Sequence, residues 1–392
     1  MKRQPALPQA TAPASRILYD DQIFRMQPYG GISRYFCELA GRVGAMPGLA
    51  ARVLAPLHVN AYLAPSAAHY WGIRLPWRFR GEGMVCRLVN RLLMPTLTRF
   101  WAPQLLHVTY YPERLMATPR QRVVVTVYDM IHERLPATFA ADDPTSARKR
   151  AIVQRADRVI CISQHTAEDL IRLFAVDPSK VVVIPLGFSR EFGLAGGTQA
   201  GEEVTQRPYL LYVGARPGHK NFGRLLAAYG ASPALQARFD LLAFGGGALT
   251  TAERAAAAAA GVPAGQLRWV GGDDQALAEA YRQARLFVYP SSYEGFGIPP
   301  LEAMSCGCPV VCSNTSSIPE VVGGAGQYFD PDDTAALRAA LEAVALDDGR
   351  HAELRASGLQ RCQDFSWQRC AEATANVYRS LLETARPSDG QG

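Results

Sequence analysis

Glu294 and Glu302 are two carboxylates with seven residues between them, in a segment that reads Glu-Gly-Phe-Gly-Ile-Pro-Pro-Leu-Glu. The apolar run 286–289 precedes the segment and predicts a short buried strand. The glycines predict a turn that leads into a helix, because Pro300 suits a first helical turn and Gly307 suits the position after a helix end. Glu294 is therefore expected beyond the carboxyl end of a strand, and Glu302 in the first turn of the following helix.

This segment could form hydrogen bonds to hydroxyl groups and to an anion. Carboxylates accept hydrogen bonds from hydroxyls, and the backbone N–H groups of Phe296 and Gly297 suit an anion beside a helix N-terminus. In open parallel sheets, ligands bind in the crevice beyond the carboxyl ends of the strands. The alternative is that Glu294 only caps a turn and Glu302 only complements the helix dipole.

A second charged motif, Gly214-Ala-Arg216-Pro-Gly-His-Lys220-Asn, follows another apolar run. Two cations four residues apart can clamp a diphosphate, since Arg forks onto phosphate oxygens and Lys acts as a compact charge. The segment lacks the Gly-x4-Gly-Lys-Ser/Thr pattern of a Walker loop. Gly245 opens a run of three glycines that fits a turn near a nucleotide but does not complete a Gly-x-Gly-x-x-Gly fingerprint, which argues against an oxidoreductase.

The elements that must position these motifs are predicted to form two α/β domains. A chain of 392 residues is too long for one hydrophobic core, and short apolar runs alternate with helical patterns along it. This alternation predicts doubly wound parallel sheets. The predicted strands are residues 17–19, 105–108, 123–127, 159–162, 181–184, 210–213, 241–244, 267–270, 286–289 and 310–312. The predicted organisation is a disordered tail at 1–14, an N-terminal Rossmann-like domain at 15–190, a linker at 191–206, a C-terminal Rossmann-like domain at 207–365 and a final helix at 366–385.

The string from Glu294 to Val311 resembles the E-x7-E signature of retaining glycosyltransferases of sequence family four, which have the two-domain GT-B fold. Similarity continues through Ser313, 318–321 and 329–331, and more weakly over about residues 15 to 385. The resemblance implies that the N-terminal domain binds the acceptor and the C-terminal domain a nucleotide sugar. It also implies that the last helix crosses back to the N-terminal domain.

The resemblance further implies roles for single residues. Arg216 and Lys220 would neutralise the leaving nucleoside diphosphate, Glu294 would hold hydroxyls of the donor sugar, and Glu302 would hold the ribose hydroxyls. The other residues that it implies at the donor site are Gly214, Gly245, Val270, Leu277, Gly295, Phe296, Gly297 and Leu301.

In the N-terminal domain, a loop with Gly30 and Gly31 follows the first predicted strand and opens a helix, so its backbone can approach a phosphate or a sugar. Similar Gly-Gly-Ile-x-Arg-Tyr loops in relatives line the crevice between the domains. Ser163 follows another strand. It either meets donor phosphate or acceptor, or helps Thr166 to start a helix.

Asp129 and His132 follow the predicted strand 123–127 and are candidates for contact with the acceptor or the donor sugar. Family members commonly carry His just before this Asp, and here Tyr128 stands in that place. A fixed histidine role is therefore not transferred, and stabilisation of the loop is the alternative for both residues.

Composition gives further expectations. The N-terminus lacks the apolar core of a secretory signal, so a cytoplasmic protein is expected. The eight cysteines lack zinc-site spacing and are predicted to be reduced core thiols. No cofactor and no metal are predicted, since Asp330-Pro-Asp332 matches Asp-x-Asp only formally.

Residues 71–122 hold nine arginines and two glutamates, with tryptophan and phenylalanine interleaved. Within this stretch, residues 85–94 alternate apolar and basic side chains at helical spacing. The pattern favours peripheral contact with an anionic membrane on its inner face, or an anionic acceptor, with an ordinary solvated surface as the alternative. No nucleic-acid-binding motif accompanies it, so nucleic acid is not expected as a partner.

Taken together, the sequence and its resemblance predict a retaining, metal-independent hexosyltransferase. The first hypothesis for the donor is GDP-mannose, with a UDP-sugar as the alternative, and the acceptor is a hydroxyl of a glycan or lipid-linked glycan in surface polysaccharide synthesis, such as that of lipopolysaccharide. A nucleotide-sugar epimerase or hydrolase on the same fold, and a non-catalytic subunit of a polysaccharide complex, are the alternatives.

Overall fold

The structure is a computed structural model, and it describes residues 14–76, 79, 81–189, 191–194 and 207–384. The predicted tail lies outside the described residues except for Ala14, and so does the predicted linker except for 191–194. None of the helices in the described part of the chain has the length and apolar character needed to cross a bilayer.

The first lobe is built on a seven-stranded parallel sheet in the order β3-β2-β1-β4-β5-β6-β7. Runs of Val, Ile and Leu form its central strands because both faces of the sheet are covered by helices. The strands are β1 (Ser15–Tyr19), β2 (Leu49–His58), β3 (Tyr70–Arg74), β4 (Leu105–Val108), β5 (Arg122–Val127), β6 (Arg158–Cys161) and β7 (Val181–Val183). The helices are α1 (Gln22–Met26), α2 (Gly31–Gly44), α3 (Glu82–Trp101), α4 (Ile131–Arg134), α5 (Thr145–Arg155) and α6 (Gln164–Phe174).

The second lobe repeats this plan on a six-stranded parallel sheet in the order β10-β9-β8-β11-β12-β13. Its strands are β8 (Tyr209–Val213), β9 (Asp240–Phe244), β10 (Leu267–Val270), β11 (Leu286–Tyr289), β12 (Val310–Ser313) and β13 (Gly326–Phe329). Its helices are α7 (Phe222–Gly230), α8 (Pro233–Arg238), α9 (Thr251–Ala259), α10 (Asp274–Gln283), α11 (Ile298–Ser305), α12 (Ile318–Val322), α13 (Thr334–Ala345) and α14 (Asp348–Arg361). Short 3₁₀ turns lie at Pro136–Thr138, Pro178–Lys180, Gly218–Lys220, Gly323–Ala325 and Cys362–Asp364. The prediction of two Rossmann-like parallel sheets is confirmed.

The last helix, α15 (Trp367–Glu383), packs against α2 of the first lobe. The Tyr378 hydroxyl lies 2.6 Å from Nδ1 of the buried His107 and 3.2 Å from the Tyr19 hydroxyl. Burial lowers the pKa of His107 to about 3, so the imidazole is neutral. Its two ring nitrogens form hydrogen bonds with the Tyr378 and Thr126 hydroxyls. The chain thus returns to the first lobe after completing the second.

Three strands were not expected from the sequence: β2, β3 and β13. Pro56 lies inside β2 and disfavours a strand, and the structure accommodates it where the pairing register shifts between Leu54 and Leu57. β3 is a partly exposed edge strand, so its sequence lacks the buried apolar run on which the strand predictions depended.

All eight cysteines are buried and free, as predicted for core thiols. Burial raises their pKa values, to about 11 for Cys306 and about 12 for Cys37 and Cys370. These thiols therefore stay protonated and act as small apolar side chains.

Candidate active site in the cleft between the lobes

The glycine turn after β11 lies against the first lobe. A Cβ atom on Gly295 would lie 1.7 Å from the Tyr128 carbonyl oxygen, so only glycine fits there. Gly297 has φ +117°, a conformation that glycine adopts without strain, and it is the N-cap residue that precedes α11. The sequence of this turn therefore brings the second lobe into direct contact with the backbone of the first.

The hydroxyl groups of Ser316 and Ser317 form hydrogen bonds to the backbone of the turn. The Glu294 backbone N–H donates to the Ser316 hydroxyl at 3.0 Å. The Ser317 hydroxyl lies 2.9 Å from the Glu294 carbonyl and 2.8 Å from the Phe296 carbonyl. These contacts fix the backbone of the turn, and with it the position from which the Glu294 side chain extends.

Lys220 and Glu294 form an ion pair at this turn. Lys220 ends the 3₁₀ turn after β8, and its Nζ lies 2.6 Å from Oε1 of Glu294. The Glu294 side chain is 12% exposed and that of Lys220 is 26% exposed, so both are partly shielded from water. The sequence predicted both residues at the site, and the structure brings them into contact.

Glu302 lies on α11 across the turn from this pair. It occupies the second turn of the helix and not the first, because α11 begins at Ile298 and holds both prolines in its first turn. Its side chain is buried, and burial raises its pKa to about 7, while the nearby charge of Arg34 opposes the rise. Glu302 can therefore change its protonation state near neutral pH.

Arg34 reaches the cleft from α2 in the first lobe. Its guanidinium donates to Asp274, in the first turn of α10 of the second lobe, and to the Ser189 hydroxyl at 3.2 Å. It also lies over the Tyr62 ring, 4.7 Å from the centroid. Arg34 was not predicted as a site residue, although it lies within the Gly-Gly-Ile-x-Arg motif of the first-lobe loop.

These groups surround a cavity of about 480 Å³ between the lobes. From the first lobe the lining includes Gly30 and Gly31, as predicted from the sequence. The predicted residues from the second lobe are Lys220, Glu294, Gly295, Phe296, Gly297 and Glu302. Lining residues that the sequence analysis did not select include Arg34, Tyr62, Tyr128, Tyr289 and Trp367. Trp367 belongs to α15, so the helix that returns to the first lobe also forms part of the cavity wall.

The predicted direct clamp by Arg216 is not what this geometry shows. Its Nε donates to Glu253 at 2.5 Å, and its terminal nitrogens donate to the carbonyls of residues 245–248 at 2.8 to 3.3 Å. The side chain is buried and does not line the cavity. Because its N–H groups are engaged, Arg216 holds the glycine loop after β9 in place. The ion pair lowers the pKa of Glu253 to about 2.

Asp129 and His132 also point elsewhere than into the cavity. Asp129 accepts from the Ile131 backbone N–H at 3.0 Å, which is the loop-stabilising alternative. His132 stacks on Phe139 with ring centroids 3.9 Å apart. Asp129 nevertheless lies next to the turn, because a Cβ on Gly295 would meet its Cβ at 2.9 Å.

The Ser163 side chain caps α6. Its hydroxyl accepts from the Thr166 backbone N–H at 3.1 Å, as predicted for a residue that helps to start the helix. Contact of Ser163 with donor phosphate or acceptor stays a prediction. Thr166 then donates from its hydroxyl to the Gly295 carbonyl at 3.2 Å. The Ser163 hydroxyl also lies 3.0 Å from the Thr166 hydroxyl, so Ser163 supports the turn through Thr166.

Other predicted residues support the site without lining the cavity. Leu301 is fully buried in the core, and Val270 and Leu277 pack against that core. The Gly245 carbonyl accepts from Arg216 and from the Trp269 indole, and the Gly214 carbonyl closely approaches Gly246. These positions shape the neighbouring loops. A direct role for any of them in donor binding stays a prediction.

Two facing Rossmann-like lobes with this cleft define a protein of the GT-B type. Two family models match the chain, "Glycosyltransferase Family 4" over residues 29–192 and "Glycosyl transferases group 1" over residues 198–361. The chain is 33% identical to the O-antigen chain mannosyltransferase B of Escherichia coli over 281 residues, covering 69% of this chain and 72% of that protein. The chain therefore belongs to glycosyltransferase family 4 and is a glycosyltransferase.

Other similar proteins agree with this assignment. The serotype-specific mannosyltransferase WbdA of Escherichia coli is 32% identical over 252 residues, but the match spans only 31% of that longer protein and 62% of this chain. Among solved structures, sucrose-phosphate synthase from Thermosynechococcus elongatus has a TM-score of 0.74 at 22% identity, over 94% of this chain and 100% of that one. HepE from Anabaena in complex with UDP and glucose has a TM-score of 0.71 at 18% identity, over 93% of this chain and 99% of that one. These two structural similarities show the fold.

Proposed function

We propose that this glycosyltransferase transfers a hexose, with mannose from GDP-mannose as the first candidate, to a hydroxyl of a glycan or lipid-linked glycan. The mannosyltransferases among its relatives support this donor, and the name of the Escherichia coli O-antigen enzyme supports a surface polysaccharide as the product. The complex of HepE with UDP-glucose supports a nucleotide sugar as the donor class. Transfer proceeds with retention of the anomeric configuration and without a metal ion.

The Lys220–Glu294 pair in the cleft carries this proposal. A diphosphate that enters the cleft competes with Glu294 for Lys220, since both are anions that the ammonium group can contact. Once Lys220 turns to the phosphates, the Glu294 carboxylate is free to accept hydrogen bonds from sugar hydroxyls. The ion pair therefore keeps both groups satisfied in the free protein and releases them together when the donor binds.

The glycine turn and Glu302 complete the donor site. The turn places the backbone of Phe296 and Gly297 at the N-terminal end of α11, where N–H groups and the helix dipole favour negative charge. Glu302 offers its carboxylate to the ribose hydroxyls. Arg216 contributes indirectly, because it fixes the loop 245–248 beside the strand ends.

The reaction needs a stabilised leaving group and a group that accepts the proton of the acceptor hydroxyl. It depends less on a nucleophilic side chain of the protein. Among the described residues that line the cavity, the carboxylates are Glu294 and Glu302, and Glu294 is paired with Lys220. The acceptor oxygen forms the new bond to the anomeric carbon on the face from which the diphosphate oxygen departs, and its proton passes to that phosphate oxygen. Lys220 and the turn stabilise the developing charge on the diphosphate.

The test is donor turnover by the purified chain with and without a lipid-linked oligosaccharide acceptor, using GDP-mannose and UDP-glucose in parallel. We expect nucleotide release from GDP-mannose that depends on acceptor, survives chelation by EDTA, and yields a product with the donor's anomeric configuration. Equal release without acceptor would instead identify a hydrolase or epimerase. An inverted product or a strict requirement for a divalent ion would overturn the mechanism.

Variants of the ion pair connect the activity to the site. Lys220→Ala should lower kcat/KM by roughly 30- to 1,000-fold, since a partly desolvated cation that faces a diphosphate contributes about 2 to 4 kcal/mol. Glu294→Ala should lower transfer by on the order of a hundredfold while the fold stays intact. Lys180→Ala is the matched control, because Lys180 lies just before β7, outside the cavity lining, and donates to the carbonyls of Gln154 and Ala156.

A further inference from the structure

Helix α3 carries apolar side chains on both of its faces, although only one face packs against the protein. The inward face is buried through residues spaced four apart: Cys86, Asn90, Met94 and Thr98. On the outward face, Met84, Leu88 and Leu92 are also spaced four apart and are 76%, 61% and 69% exposed. The outer face of α3, defined by these three residues, is therefore an apolar stripe turned to solvent.

Arginines accompany this stripe. Arg87 and Arg91 lie beside it on the same helix, and both are exposed. The ion pair of Arg87 with Glu113 spans 4.0 Å between side chains that are 60% and 71% exposed, so water screens it and it contributes little. Helix α3 itself holds Arg87, Arg91 and Arg99 against one acidic residue, Glu82, so its net charge is positive.

Trp71 and Trp101 do not belong to the outer face. Trp71 and Trp101 enclose the Arg52 guanidinium, which lies 4.2 and 4.0 Å from their ring centroids. Their rings are also 6.0 Å from each other. These contacts hold both indoles against the lobe, whereas Met84, Leu88, Leu92 and Phe100 of the helix stay exposed.

Helix α3 is fixed relative to the cleft by Asn90. Its side-chain amide exchanges hydrogen bonds with the Leu57 backbone at 2.8 and 3.0 Å and donates to Asp21 at 2.6 Å. Asp21 begins α1, and α1 leads into the Gly30–Gly31 loop that lines the cavity. Hydrogen bonds through Asn90 and Asp21 thus connect α3 to the first-lobe wall of the cleft.

We propose that the outer face of α3 docks this protein onto a bilayer surface that contains anionic lipids. The stripe consists of exposed apolar side chains on a surface helix, which can enter the headgroup region without a complementary pocket. The flanking arginines complement anionic headgroups. This charge complementarity favours a bilayer over a second copy of this chain, whose own outer face would carry the same positive charges.

Docking through α3 would also bring a membrane-held acceptor to the first-lobe side of the cleft. This consequence rests on the proposed function, whereas the docking itself does not. The two are separable, because vesicle binding is measured with neither donor nor acceptor present.

The test is sedimentation of the full chain with vesicles of phosphatidylcholine alone or with phosphatidylglycerol added, at low and high salt. We expect binding only to the anionic vesicles, weakened by salt. Leu88→Ser with Leu92→Ser, and separately Arg87→Glu with Arg91→Glu, should each lower the affinity by about tenfold or more. The matched control is Arg338→Glu with Arg369→Glu, two exposed arginines of the same charge change on α13 and α15, which should bind like the wild type.

The same variants decide between a bilayer and a protein partner. A wild type that fails to sediment with anionic vesicles at low salt overturns the proposal. So does a Leu88→Ser, Leu92→Ser variant that binds vesicles normally, or one whose only change is the loss of a dimer in analytical ultracentrifugation. Retained activity of that variant on a short water-soluble acceptor, with loss on the lipid-linked one, supports the link between docking and transfer.

Discussion

At the scale of single residues, Glu302 shows how the environment of a carboxyl group sets its chemistry. Its position on α11 is buried, and the free energy of desolvation favours the neutral acid, which raises its pKa from 4.5 to about 7. Glu294 is the other carboxylate of the cavity, and it has Lys220 as a partner. The two glutamates of one motif thus have different surroundings. Glu294 is paired with a cation, whereas Glu302 is buried and has a raised pKa.

The raised pKa of Glu302 predicts a pH-dependent stability. A carboxyl whose pKa is higher in the folded than in the unfolded state stabilises the fold below about pH 4.5 and loses that contribution as the pH rises to about 7. Glu302→Gln should therefore become more stable than the wild type by roughly 2 to 4 kcal/mol at pH 8, with the difference shrinking towards pH 4.5.

Urea unfolding of both proteins between pH 4.5 and pH 8 measures this difference. Glu342→Gln, a glutamate of the second lobe that accepts from the Ser232 hydroxyl, serves as a control for the loss of one carboxylate. A constant gap between Glu302→Gln and the wild type across this range would contradict the burial argument.

At the scale of elements, the turn 293–297 joins the two lobes through backbone contacts. The Met130 backbone N–H donates to the Tyr293 hydroxyl at 3.2 Å, and Thr166 of α6 donates to the Gly295 carbonyl. Gly295 itself touches the Tyr128 carbonyl. The turn that carries Glu294 therefore also sets how closely the lobes approach.

Gly295→Ala should disturb both the position of Glu294 and the close approach of the two lobes. The added Cβ would lie 1.7 Å from the Tyr128 carbonyl oxygen, and the neighbour is backbone that cannot move aside alone. We expect a loss of stability of about 1 to 3 kcal/mol and a large loss of transfer, since overpacking shifts the turn. Thermal unfolding and the transfer assay measure these effects.

Gly223→Ala is the matched control for this substitution. Gly223 lies inside α7, where a Cβ would meet nothing within 4 Å. Alanine there should be neutral or should stabilise the protein by about 0.5 to 1 kcal/mol, because it favours the helix. If both alanine variants behave alike, the close contact at Gly295 does not limit the position of the turn.

At the scale of the whole molecule, polar contacts at separate places connect the lobes around the cleft. Arg34 reaches Asp274, and Glu320 of α12 accepts from the backbone N–H groups of Gln164 and His165 at 2.8 to 3.3 Å. Glu320 thereby places a carboxylate at the N-terminus of α6, where the helix dipole favours it. These contacts hold the lobes in the arrangement that forms the cavity.

We expect loss of the Arg34–Asp274 pair to increase the separation of the two lobes. Asp274→Asn should loosen the contact and widen the donor-free protein in small-angle X-ray scattering, with a stability change of about 1 kcal/mol or less because the pair is partly exposed. Arg34→Ala should widen it as well and also raise the donor KM, since Arg34 lines the cavity.

Arg224→Ala, which removes an exposed pair with Asp332 within the second lobe, is the control and should change neither quantity. Unchanged scattering in both the Arg34 and the Asp274 variants would show that other contacts alone hold the lobes together.

Those parts of the fold and site that depend on neighbouring residues along the chain could be predicted from the sequence. Buried runs of Val, Ile and Leu define the central strands of both sheets, because parallel strands covered on both faces require them. The glycine turn and the helix start at Gly297 follow from local backbone preferences, and they place Glu294 and Glu302 in one cleft. The charged motif that follows the predicted strand 210–213 indicates Lys220 too, but it indicates Arg216 equally.

Side-chain orientations that depend on partners far apart in sequence become visible in the tertiary structure alone. Arg216 and Lys220 look equivalent in the sequence, but Glu253, 37 residues from Arg216, turns that guanidinium into the loop and away from the cleft. Arg34 gains its place through Asp274, which is 240 residues away. Likewise, the spacing of apolar residues on α3 cannot say which face is buried. The packing of Asn90 against β2 selects the inward face and leaves Leu88 and Leu92 in solvent.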